Sequence, residues 1–111
     1  RMGDRETIEA ALAAAYGAAT AAERRVAFAS LSWRPEVMRA HRAAVEAAID
    51  GDGDEGFAAG ALVVGLSRAL GDDARGWLLR LFLTAPHWVV REEAAVQLAE
   101  RGMLLPTARR A

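Results

Sequence analysis

The sequence predicts an all-α domain, and three observations carry that prediction. Alanine is the commonest residue, at 27 of 111, and it has the highest intrinsic helix propensity. Apolar residues recur at three- and four-residue spacing along successive stretches, the period of a helix with one buried side. Between those stretches stand helix-ending residues: Gly17, Pro35, Gly51, Gly53, Gly71, Pro86 and Gly102. The length corresponds to one domain, 1–111, large enough to bury roughly two thirds of its unfolded surface. The apolar fraction is 53%, and nearly half of it is alanine. Such side chains make thin layers of closely approaching helices.

Six helices follow in order. The first covers about Asp4 to Tyr16 and stops at Gly17. The second begins at Thr20, where Thr20 and Glu23 have the spacing of a capping box; Val26, Phe28 and Leu31 supply its buried side. The third opens near Pro35, a residue suited to the first turn because its missing N–H has no partner there. Val37, Met38, Ala44, Val45, Ala48 and Ile49 form its apolar face, opposite Arg34, Glu36, Arg39, Arg42 and Glu46. An Asp-Gly loop over 50–54 separates it from the fourth helix, about Glu55 to Leu70, which ends at Gly71. Asp72 or Asp73 caps the fifth, which ends near Thr84-Ala85. Pro86 opens the sixth and Gly102 closes it.

Short connections make neighbouring helices antiparallel. The expected architecture is about six antiparallel helices in three helical hairpins, 4–31, 34–70 and 73–102, with a tail at 103–111. A faint internal echo accompanies it. Residues 26–32, VAFASLS, align with 61–67, ALVVGLS, and Phe57–Leu66 aligns with Val89–Leu98. The offsets of 35 and 32 fall in the range of two-helix repeats.

The stretch Pro86–Gly102, PHWVVREEAAVQLAERG, with its VR-x-x-AA-x-x-L core, resembles the second helix of a HEAT-type helical repeat. The likeness covers about Asp73 to Gly102. It implies either a HEAT-like array or a compact orthogonal bundle, and a scaffold that binds other proteins on a concave surface. Arg91 matches the family's structural arginine, while Ala85 occupies the position of the aspartate with which that arginine pairs.

Little in the chain points to catalysis. There is no cysteine, which excludes disulfides and thiolate chemistry. The two histidines, His41 and His87, lack the spacing of a metal motif. Asp50, Asp52 and Asp54 imitate the start of a calcium loop, but its sixth position is Glu55 and its twelfth Ala61, so a solvated acidic loop is expected. No phosphate loop or nucleophile elbow occurs. The expectation is a non-enzyme with no catalytic residues, metal or cofactor. Net charge is −1, and every basic residue is arginine, a bias that GC-rich coding accounts for. The N-terminal residues lack a signal-peptide pattern and the apolar runs are too short for a membrane span, so a cytoplasmic protein is expected.

The strongest functional signal is Gly76–Leu83, GWLLRLFL, apolar nearly all round and broken only by Arg80. A central helix could be covered on every side; a terminal one would leave a patch for a partner. Trp77, Arg80, Phe82 and Trp88 are the expected contact residues of a non-catalytic protein-interaction or adaptor module, whose partner is another protein or a second copy. Two alternatives are a nucleic-acid edge formed by Arg34, Arg39 and Arg42, and a small-molecule-sensing bundle. The latter's pocket would lie over Gly60 and Gly65, ringed by Trp77 and Phe57. Close helix crossing is the other reading of those glycines.

Overall fold

The structure is a computed structural model that describes residues 20–51 and 56–102, together with residue 10. The expected first helix and the 103–111 tail lie outside the described residues, as do Asp52, Asp54 and Glu55 of the acidic loop. The described residues are all-α, with no strand among them. They comprise α1 (Ala21–Leu31), α2 (Pro35–Ala40), α3 (Arg42–Gly51), α4 (Ala59–Leu70), a 3-10 turn over Gly71–Asp73, α5 (Ala74–Thr84) and α6 (Trp88–Glu100).

Local signals set most boundaries. Thr20 caps α1 by accepting from the Glu23 N–H at 3.1 Å. The box closes differently from the expected reciprocal form, because the Thr20 hydroxyl donates to the Glu23 carboxylate at 3.0 Å. Pro35 occupies the first turn of α2. Gly56 has φ +82°, which a helix cannot contain, so α4 begins at Ala59 and not at Glu55. Gly71 (φ 59°) ends α4, and Gly102 (φ 68°) follows α6 while its N–H closes on the Ala99 carbonyl at 2.9 Å. Pro86 stands two residues ahead of α6, whose N-cap is His87. Asp73 flanks α5 without making a side-chain cap bond, since the 3-10 turn runs directly into the helix.

Packing decides the rest. The third helix expected from Pro35 is interrupted at His41 (φ −118°, ψ 36°). Nothing in Ala40-His41-Arg42 forbids a helix; the bend lets Val37 and Met38 on α2, and Val45, Ala48 and Ile49 on α3, all reach one core. Both halves contact α4. Val26 turns out to solvent, and Phe28 and Leu31 alone supply the large buried side chains of α1.

The centre is α4, which contacts α1, α2, α3, α5 and α6. Ala59, Gly60, Ala61, Leu62, Val63, Gly65, Leu66, Ser67 and Ala69 are all buried. The central position, one of the two open to the tryptophan-leucine helix, belongs to the glycine-alanine helix instead. The glycines explain it. A Cβ on Gly65 would lie 2.3 Å from Ser32 Oγ and 2.9 Å from Met38 Sδ, so α1 and α2 press directly on the α4 backbone. On the other side, a Cβ on Gly60 would meet Arg25 Nη1 at 2.9 Å, with Val89 and Glu93 of α6 close behind.

These contacts share one register. Arg25 lies by Phe57 and Gly60, and Ser32 by Ala61 and Gly65. His87 and Val90 lie by Gly56, while Arg101 reaches Ser67 and Gly71. Both partners advance together in each series, so α1, α4 and α6 run parallel, side by side. The side-chain hydrogen bonds between helices, from Arg25, Ser32, Arg39, Arg80 and Arg101, span 29 to 34 residues.

The end of α4 needs more than packing, because the last carbonyls of a helix have no partner within it. Arg101 donates to the Ser67 carbonyl (2.6 Å), the Ser67 hydroxyl (2.7 Å) and the Gly71 carbonyl (2.8 Å). Arg39 Nε donates to the Ala69 carbonyl at 2.9 Å. Every buried side-chain polar atom among the described residues has a partner.

Three substitutions test this arrangement. Gly65→Ala costs about 1–3 kcal/mol from overpacking, despite alanine's better helix propensity. Gly76→Ala on α5, where a Cβ meets nothing within 4 Å, instead gains about 0.5–1 kcal/mol; urea unfolding of the two variants compares the signs. Arg101→Met loses about 2–3 kcal/mol, because charge-assisted bonds to buried carbonyl groups go unreplaced. An Arg101→Met midpoint equal to the parent's would remove the capping role.

Candidate functional site

Two surface features stand out from the core. The first is a groove of about 230 Å³ between α1 and α4. Ala29 and Ser32 on α1 face Ala61 and Val64 on α4 across it, residues spaced three apart on each helix. Trp33 forms the rim, and Arg25 and Arg68 complete the lining. Trp33 is 83% exposed, the most exposed large apolar side chain described. It follows the last turn of α1, out of phase with Phe28 and Leu31, and stands just before Arg34-Pro35, where α2 begins. Sequence reading passed over it; its mismatch with the helical phase was the available signal.

The second feature is the outer side of the α5–α6 hairpin. On α5, Ala74, Trp77, Leu78 and Leu81 turn inward, leaving Phe82 and Leu83 exposed. On α6, Val90, Ala94, Gln97 and Leu98 are buried, whereas Trp88 and Val96 are exposed. Leu79, Phe82 and Leu83 share one side of α5, and Trp88, Ala95, Val96 and Ala99 one side of α6.

The expected contact residues separate on this fold. Trp77 is 3% exposed and belongs to the core, because it falls in phase with Ala74, Leu78 and Leu81; it is not a surface contact. Phe82 and Trp88 are exposed. Arg80 is exposed and pairs with Glu46 of α3 at 3.3 Å, the same carboxylate that binds Arg42 at 2.8 Å. Of the basic edge, Arg39 and Arg42 are thus engaged with Ala69 and Glu46, and Arg34 also has a partner within the fold. Arg25 lies against Gly60, and Ser32 and Met38 lie against Gly65. The groove sits one row aside, on Ala61, Val64 and Arg68, and its aromatic wall is Trp33 in place of Trp77 and Phe57. Arg91 donates to the carbonyl of Ala85 at 2.7 Å. The backbone of the residue where the HEAT family has aspartate thus receives this arginine.

Known protein families, curated proteins and solved structures provide no match to this chain.

Electrostatics are muted. Among the described residues no three His, Asp or Glu side chains gather as a metal site, and no helix is long and apolar enough to cross a membrane. Among the described residues the departure from ordinary titration is at Glu93. Partial burial pushes its carboxyl above the ordinary value of 4.5, against the lowering influence of Arg25. Arg25 itself donates to the Phe57 carbonyl and lies 5.0 Å from the Phe57 ring centroid. Between 4.5 and its raised pKa, Glu93 binds more protons folded than unfolded, so its contribution to stability falls as pH rises through that window. Glu93→Gln therefore raises the melting temperature at pH 7. The gain shrinks towards zero below pH 4.5; a gain independent of pH would refute this assignment.

Proposed function

We propose that the chain is a non-catalytic protein-interaction module, acting as an adaptor through the outer side of its α5–α6 hairpin. The observation that carries this reading is the exposure of Leu83 (71%) and Trp88 (48%), with Phe82 and Val96 beside them in sequence and helical phase. Large apolar side chains left exposed on neighbouring helices favour burial against another surface. Tryptophan is also a frequent source of binding energy at interfaces. The partner is another protein or a second copy, and the compartment proposed is the cytoplasm.

A HEAT-like array is the architecture we infer. Its support is the parallel register of α1, α4 and α6 and the recurrence of interhelical bonds at 29–34 residues. In such an array each hairpin packs on the next, which leaves α6 with an uncovered side among the described residues. The small residues Ala95 and Ala99 on that side allow close approach by another helix.

The test pairs sedimentation equilibrium of the purified chain with capture from nuclease-treated lysate, using Leu83→Ser/Trp88→Ala as the comparison. The variant is expected to keep its helix content and to lose self-association or the captured protein, with affinity reduced at least tenfold. Identical behaviour of parent and variant in both measurements would sink the adaptor reading.

A further inference from the structure

The α1–α4 groove has a chemistry of its own, separate from the apolar hairpin. Its floor is apolar, made by Ala29, Ala61 and Val64, and it contains two arginines and no acid. Those arginines differ in how far they are already committed. Arg25 donates to the Phe57 carbonyl, lies over the Phe57 ring and faces the Glu93 carboxylate. Arg68 is exposed on the last turns of α4 and has no hydrogen-bond or ion-pair partner among the described residues. Ser32 has spent its proton on the Ala61 carbonyl at 3.0 Å, so it offers a ligand only lone pairs. The available donors that match an anion are therefore on Arg68.

The parallel register places these groups in order. Arg25 stands level with Phe57 and Gly60, at the start of α4. Ser32 stands level with Ala61 and Gly65, and Trp33 and Arg68 lie further along the same direction. One end of the groove thus combines an aromatic face with an uncommitted guanidinium. The other end is closed by Arg25, which is held by the Phe57 carbonyl and ring. At about 230 Å³ the space is below the usual range for drug-sized ligands, roughly 300–1,000 Å³, so it suits a single ring and its acid group.

We propose that this groove binds a small organic carboxylate with a flat apolar body. The carboxylate accepts from the Arg68 guanidinium in the forked geometry that arginine favours. The ring lies against Trp33 and over Ala29, Ala61 and Val64. One negative charge is sufficient, since Arg25 is already engaged by the Phe57 carbonyl and ring.

Phenylacetate serves as the probe and phenylacetamide, its neutral isostere, as the control, with binding followed by calorimetry and by amide chemical shifts. Phenylacetate is expected to bind at least tenfold more tightly than the amide and to shift residues 29–33 and 61–68. Arg68→Gln should weaken phenylacetate at least tenfold while leaving the amide unchanged. Val64→Phe, which fills the floor, should abolish both. The substituted side chains are exposed or half-exposed, and circular dichroism checks that each variant keeps its helices. Equal binding of acid and amide, an Arg68→Gln variant that binds as the parent does, or no binding at millimolar phenylacetate would each overturn the proposal. Binding of a peptide ending in phenylalanine without any of phenylacetate would also overturn it, in favour of a protein tail as the occupant.

Discussion

Everything else in this fold depends on one helix that all the others pack against. α4 touches every other helix described, and where a neighbour meets its backbone most closely there is no room for a side chain. Gly65 yields its Cβ space to Ser32 and Met38, and Gly60 yields its own to Arg25. Each glycine costs about 1 kcal/mol of helix propensity relative to alanine. The compensation is close packing of Leu62, Val63 and Leu66, all without solvent exposure, where each buried large aliphatic side chain contributes roughly 1.5–3 kcal/mol.

A central helix also has an end to satisfy, and arginine does this repeatedly. Arg39 and Arg101 bind carbonyls at or just beyond the C-terminus of α4, Arg91 binds the carbonyl of Ala85, and Arg25 that of Phe57. The long side chain reaches across a helix layer, and its several N–H groups serve more than one acceptor at once, as at Arg101. A positive charge near helix C-terminal carbonyls is favourable as well. Much of the chain's basic character is consequently spent inside the fold. Arg39 and Arg42, which sequence pattern alone aligns as a basic edge, are held by Ala69 and Glu46.

Two outward surfaces remain, and they differ in chemistry. The α5–α6 hairpin offers bulk apolar side chains without an enclosing wall, the form that suits a broad partner surface. The α1–α4 groove is narrow, walled by one tryptophan and supplied with one guanidinium that has no partner among the described residues, the form that suits a small anion. Both arise from the same geometry. Helices stacked in parallel on α4 leave a furrow between neighbours and, among the described residues, exposed apolar side chains on α6.

The helices themselves were legible in the sequence. Alanine propensity and three-to-four spacing gave the all-α class, and Thr20, Pro35 and Gly71 marked ends that the structure keeps, because those signals act within a turn of the backbone. Arg91 was recognisable as structural from its pattern, though not its carbonyl partner. What only tertiary structure decided was which helix is central and which residues face out. GWLLRLFL carries the greater hydrophobicity, yet the glycine-alanine helix holds the middle, because closeness of approach and not side-chain bulk sets that position. The same competition buries Trp77, exposes Val26 and bends the chain at His41. It also brings Ser32, Trp33, Val64 and Arg68 into one groove from segments about thirty residues apart. Residues that meet only because two helices cross at a glycine leave no local trace in either segment.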